Sequence, residues 1–135
     1  MENIISIYDL EPFLRLFVAA FLGWIIGLER ETLGKNAGTR TFALVCLGAA
    51  LFAIADGGSP QLVAVGIGFL GAGLIMFKDG HTDGLTTAAS LWTSAALGVV
   101  VGQGYYGLGI FSALLVLMIL FLLRMVHPDQ WRGKK

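Results

Sequence analysis

The sequence has little with which to face water. Nine Lys or Arg and nine Asp or Glu make up 13% of its 135 residues, about half the ~25% usual in soluble domains. The two signs cancel to zero net charge, which excludes the basic surplus that marks a nucleic-acid partner. One cysteine, Cys46, excludes an internal disulfide and reads as a small buried apolar residue. Two histidines, His81 and His127, stand far apart. No nucleophile–base pair, P-loop or zinc spacing occurs, so neither an enzyme nor a cofactor is expected. No Lys or Arg precedes Arg15. A secretory signal opens on a basic stretch, so the first apolar segment is expected to be retained.

Apolar residues fill the rest. AVILMFWYC make up 56% before the 19 glycines are counted, and the mean hydropathy is +0.79. Five stretches are nearly free of charge: 10–28, 39–55, 60–77, 85–101 and 105–123. Hydrocarbon offers no hydrogen-bond partner, so a chain crossing it forms helices or a closed barrel. A spanning helix needs ~20 apolar residues, ~17 at the least, and no alternating pattern suggests barrel strands. The expected fold is an all-α membrane protein, a bundle of five transmembrane helices over residues 1–125. A short basic tail, 126–135, would follow.

Charge orients the bundle. Arg30, Lys35 and Arg40 flank the first connection and Lys78 the third, while Arg124, Arg132, Lys134 and Lys135 follow the fifth span. The second and fourth connections have no basic residue. The positive-inside rule places the N-terminus outside and the C-terminus in the cytoplasm. Arg15 is the exception, with Glu11 four residues before it in the favourable order for an ion pair. The pair reads as an outer-interface anchor or as a charge at the mouth of a pathway. Tyr8, Tyr105 and Tyr106 fall at the outer interface, and Trp24 and Trp131 near the inner one.

Small residues define the helix faces. Asp9 is placed to cap helix one, whose Gly23 and Gly27 have GxxxG spacing and admit a neighbouring backbone. Thr39 is placed to cap helix two, where Ala49 and Ala53 form a weaker stripe. Helix three carries Gly66, Gly68, Gly71 and Gly73. The letters G-x-G-x-x-G occur there without the strand and helix that a dinucleotide site requires. The cluster reads as tight packing against a neighbour or second protomer, or as a broken helix exposing carbonyls to a solute. In helix four, Thr86, Ser90, Ser94, Gly98 and Gly102 recur every four residues, with Thr87 and Thr93 beside them. That stripe serves interhelical packing or, alternatively, lines a solute path. Trp92 is expected to point into the bundle, where its N–H finds a partner. Helix five has Ser112 as its single polar side chain and is expected at the lipid-facing periphery.

The connection 78–84 holds Asp79, His81 and Asp83. An EF-hand fails there, because Ser90 stands where the final acid belongs. Asp79 and Asp83 are weak candidates for a hydrated magnesium ion, and the alternative is a solvated turn. Glu29, Arg30 and Glu31 end helix one, and Glu29 or Glu31 is placed to pair with Arg40. With Asp83, Glu29, Arg30 and Arg40 form a candidate cytoplasmic gate or partner contact. Gly68, Gly71, Thr86, Thr87, Ser90, Trp92 and Ser94 form the candidate ligand site or pathway.

Gly-Leu-Glu-Arg-Glu at 27–31, Ala-Gly-Thr-Arg-Thr at 37–41, the glycine cluster of 66–73 and Gly-Leu-Thr-Thr-Ala-Ala-Ser-Leu-Trp at 84–92 occur in this order. In that combination the chain resembles the MgtC/SapB family of bacterial inner-membrane proteins over roughly 10–125. The resemblance implies five transmembrane helices, a tendency to self-associate and a link to magnesium limitation, and the expected assembly is a homodimer. It also implies a regulatory role that includes contact with the F-type ATP synthase. Many members carry an ACT-like domain after helix five, which the sequence ending at Lys135 does not show. The expected function is adaptation to magnesium or ionic stress by binding a membrane partner or small ligand through helices three and four. The alternative is an oligomeric transporter of a small solute or ion.

Overall fold

The computed structural model describes residues 7–55 and 59–126. Five helices and one hairpin account for nearly all of them: α1 (Ile7–Thr32), α2 (Thr39–Ala55), α3 (Pro60–Leu74), β1 (Met76–Lys78), β2 (His81–Asp83), α4 (Leu85–Gly102) and α5 (Tyr106–Val126). Asp9 lies inside α1 rather than capping it. Asp56, His127, Trp131 and the basic tail Arg132, Lys134 and Lys135 lie outside the described residues. By length and composition, Leu10–Thr32, Leu85–Gly102 and Tyr106–Val126 are each able to cross a membrane, while α2 and α3 are shorter apolar helices.

The connections are tight because glycine closes the helices. Gly34 (φ 63°) ends α1, with Gly34 N–H bonded to the Glu31 carbonyl and Lys35 N–H to the Arg30 carbonyl. Gly104 (φ 92°) ends α4 with the same two bonds, to Val101 and Val100. Both are left-handed caps that satisfy carbonyls the helix leaves free.

The packing is inverted relative to a soluble protein. Large side chains such as Phe13, Phe17, Leu62, Phe69 and Leu114 face outward, while Ala19, Cys46, Ala49, Ala50, Ala53, Ala95 and Ala113 are buried. Lipid tails are as apolar as leucine, so large residues gain little by turning inward, and small ones let backbones approach. A Cβ on Gly23 would lie 2.5 Å from the Phe42 carbonyl oxygen, and one on Gly27 would lie 2.6 Å from the Thr39 Cα. These glycines join α1 to α2 as an antiparallel hairpin. On the other side of α2, the stripe of α4 meets the alanines. A Cβ on Gly98 would strike the Cys46 carbonyl and one on Gly102 the Ala50 carbonyl, at 2.7 Å. Cys46 and Ala50 thus lie beside Gly98 and Gly102 in the same order, so α2 and α4 run parallel. Cys46 also donates its Sγ–H to the Ser94 carbonyl at 3.0 Å.

One expectation fails here, and another is met within the chain only at Gly71. Trp92 points away from the bundle and is 53% exposed, on one face with Leu85, Ala89 and Ala96. It stands two positions from both Ser90 and Ser94, and two positions are roughly half a helical turn, so Trp92 and the stripe occupy opposite faces. The glycines of α3 are also mostly bare. A Cβ on Gly66, Gly68 or Gly73 would meet nothing within 4 Å, and Gly71 alone is buried, against Ala88. α3 rests on α4 along one line and scarcely touches α2, so most of its circumference has no neighbour among the described residues. It is also a continuous helix through residues 66–73. Helix five sits at the periphery, as its composition suggested, with most of its large side chains outward.

Candidate functional site

α1 and α4 run antiparallel and are fastened at both ends. At one end Arg15 donates to the Gly102 carbonyl at 3.0 Å and to Glu11 one turn earlier. A cation at a helix C-terminus satisfies its dipole, so Arg15 closes α4 as well as pairing locally. At the other end Arg30 is only 3% exposed. Its guanidinium donates to Thr87 Oγ1 at 3.3 Å and faces Glu29 at 3.7 Å. A buried charge is expensive unless it is fully partnered. Here Arg30 Nε and Glu29 Oε2 have no hydrogen-bond partner among the described residues. The knot of Glu29, Arg30 and Thr87 is therefore held in place yet incompletely satisfied.

Arg40 does not pair with either glutamate. Glu31 instead reaches across the connection to the start of α2, accepting from Thr39 N–H at 2.8 Å and from the Thr39 hydroxyl. Thr39 is thus capped by Glu31 rather than acting as the cap. A carboxylate satisfies free N–H groups and the dipole of a helix start.

Most α4 hydroxyls turn inward or back onto their own helix. Thr86 faces outward and its neighbour Thr87 inward, onto Arg30. Ser90 is buried and returns its hydroxyl to the Thr86 carbonyl of its own helix, as hydroxyl residues in membrane helices commonly do. Ser94 is 0% exposed, and its Oγ has no partner among the described residues. Gly71 closes on Ala88 one turn before. Trp92 and Gly68 face outward, away from this seam. The candidate pathway residues are therefore divided between a packed interior and the outer surface.

The connection expected as a solvated turn is a hairpin. Met76 pairs with Asp83, Phe77 with Thr82 and Lys78 with His81. Asp79 (φ 51°) and Gly80 (φ 79°) form its two-residue turn, both left-handed, as the hairpin turn that favours Asp-Gly requires. Gly84 (φ 82°) then leads into α4, its N–H donating to Asp83 Oδ1 at 2.9 Å, while a side chain there would strike the Leu74 carbonyl. Asp79 occupies the turn and Asp83 the far end of the strand, about 10 Å of extended chain beyond it. Among the described residues no three of His, Cys, Asp or Glu come together to hold a metal.

The described basic residues Arg30, Lys35, Arg40 and Arg124 fall at the end of the bundle that carries this knot, and Arg15 at the opposite end. The sequence profile of the MgtC family matches residues 16–128. The chain belongs to the MgtC family. It is 39% identical over 127 residues to the Escherichia coli (strain K12) protein described as "Putative magnesium transporter YhiD", covering 82% of this chain and 59% of that protein. It is 39% identical to "Protein SrpB" of Synechococcus elongatus over 87% of this chain and 77% of that one. It is 42% identical to "Protein MgtC" of Salmonella typhimurium (strain 14028s / SGSC 2262), over 82% and 52% respectively. The chain thus spans little more than half the length of YhiD and MgtC. No solved structure matches it. As an MgtC-family protein with long apolar helices, it is a bacterial membrane protein.

Proposed function

We propose that this MgtC-family protein is a five-span protein of the bacterial inner membrane, N-terminus outside, that serves adaptation to magnesium or ionic stress by binding rather than by conducting. The observation that carries this reading is the closed packing along the α4 seam. Ser90 is bonded to its own helix, Ser94 is enclosed, and Gly98 and Gly102 are closed against the α2 backbone. A solute path along these hydroxyls would need water or carbonyls open to it, and α3 is unbroken where a transporter would unwind. A crossing by α2, in addition to the three longer helices, is supported by height. α2 runs beside α4 as far as Gly102, so whatever α4 spans, α2 spans too.

The binding surface is the outer face of α3 and α4, with bare Gly68 and Gly73 and outward Trp92. Small residues on a lipid-facing helix let another helix approach closely. A second copy of the chain and, by family resemblance, the F-type ATP synthase are the partners proposed. The second reading, magnesium transport, takes its support from the name of the YhiD relative. Proteoliposome flux and in-membrane photocrosslinking decide between them. The binding reading expects no magnesium flux, together with a crosslink to a second membrane protein or second copy from positions 68 and 92 but not from 119 on α5. Protein-dependent magnesium flux that a bulky residue at Ser94 abolishes would establish transport instead.

A further inference from the structure

Consecutive helices α2 and α3 barely touch, and the space between them is a cleft of about 990 Å³. That is at the upper end of small-molecule sites, ~300–1,000 Å³. Its walls are apolar, and Gly48 on α2 and Gly66 on α3 hollow it from both sides, since a Cβ on either would meet nothing within 4 Å. One end alone is cationic, where Arg40 and Thr41 line the mouth. Arg40 forms no ion pair among the described residues. Glu31 feels its charge, but its carboxylate is engaged by Thr39. Of the first four N–H groups of α2, Thr39 is taken by Glu31 and Phe42 by the Gly38 carbonyl. Those of Arg40 and Thr41 have no carbonyl ahead of them in the helix. A cation beside open N–H groups at a helix start is an arrangement that suits a phosphate.

We propose that this cleft holds one anionic phospholipid, with its phosphate on Arg40 and the start of α2 and its acyl chains between Gly48 and Gly66. The dimensions agree. Half of a ~30 Å hydrocarbon core is ~15 Å, and the twelve residues from Arg40 to Phe52 rise ~18 Å along the helix. Chains anchored at Arg40 therefore pass Gly48 and end near Phe52, which lines the same cleft. Basic pockets between membrane helices at the cytoplasmic side select anionic headgroups in this way. The lipid would act as the wedge that keeps α3 off α2. The proposal needs only the membrane location, so it stands whether the protein binds partners or transports.

The test is native mass spectrometry of the detergent-purified chain, titrated with equal amounts of phosphatidylglycerol and phosphatidylcholine carrying the same acyl chains. One retained lipid per chain is expected, with about a fivefold preference for phosphatidylglycerol, the effect of a single basic residue on an anionic headgroup. Arg40→Gln is expected to abolish the preference, and Arg124→Gln, at the same end of the bundle, to keep it. Gly48→Leu and, on the opposite wall, Gly66→Leu should each expel both lipids while circular dichroism shows unchanged helix content. Equal retention of the two lipids by the unmodified chain would overturn the proposal. So would a preference that survives Arg40→Gln, or a lipid-free dimer that Gly48→Leu splits, since a second copy would then fill the cleft.

Discussion

Glycine-to-alanine substitution at position 98 and at position 68 adds the same methyl group to helices of the same bundle, and the two should give opposite results. At Gly98 the new Cβ would strike the Cys46 carbonyl and lie 2.8 Å from the Ala49 Cβ. The obstacle is helix backbone, which cannot rotate away, so α2 and α4 must separate. Overpacking of this kind costs about 1–3 kcal/mol. At Gly68 the methyl meets nothing within 4 Å, and the change relieves the entropic burden of a mid-helix glycine, about 0.5–1 kcal/mol. The helix-propensity gain is common to both sites, so Gly98→Ala should be less stable than Gly68→Ala by about 1–3 kcal/mol, the overpacking alone. Reversible unfolding in mixed micelles, followed by far-ultraviolet circular dichroism, measures the difference. Equal stabilities would refute the α2–α4 seam as the tightest contact. A destabilised Gly68→Ala would mean that α3 is buried in the purified assembly after all.

The knot at Arg30 should respond asymmetrically. Arg30→Ala leaves Glu29 and Thr87 without their cation and should lose about 3–5 kcal/mol, whereas Thr87→Val removes one hydrogen bond and should lose about 1–3 kcal/mol, both read by the same unfolding assay. Gly84→Ala forces a left-handed backbone and a collision with the Leu74 carbonyl; a loss of at least ~1–3 kcal/mol is expected, while Gly80→Asn, whose residue tolerates the hairpin turn, should be close to neutral. Cys46, fully buried between α2 and α4, should react with maleimide only when the bundle opens, so that its labelling rate falls with every stabilising condition; fast labelling in native micelles would contradict the packing.

What the sequence made legible follows from the physics of each signal. The small-residue spacings at Gly23 and Gly27, at Ala49 and Ala53, and along Ser90–Gly102 each mark a true helix contact, because close approach demands small residues wherever it happens. The glycines of α3 obey the same rule but reveal no partner, since a sequence shows that a surface is bare and not what covers it. Trp92 was placed inside by its depth alone; its two-residue offset from the serine stripe carried the opposite answer. The Asp79-Gly80 pair was a hairpin signal between short runs, obscured by the acidic residues that invited a metal reading. The ties from Arg15 to Gly102 and from Arg30 to Thr87 were invisible, because no local pattern records a contact between residues so far apart in the chain.

That separation has a consequence for biosynthesis. Thr87 lies 57 residues after Arg30, and at roughly 5–20 residues per second the ribosome needs about 3–11 s to make it. For the later part of that interval, once α2 has followed α1, the first hairpin can exist with a guanidinium destined for the interior and Thr87 not yet made to receive it. The nascent chain must hold that group among headgroups or within the insertion machinery, and the arrival of the fourth helix is the event that draws it in.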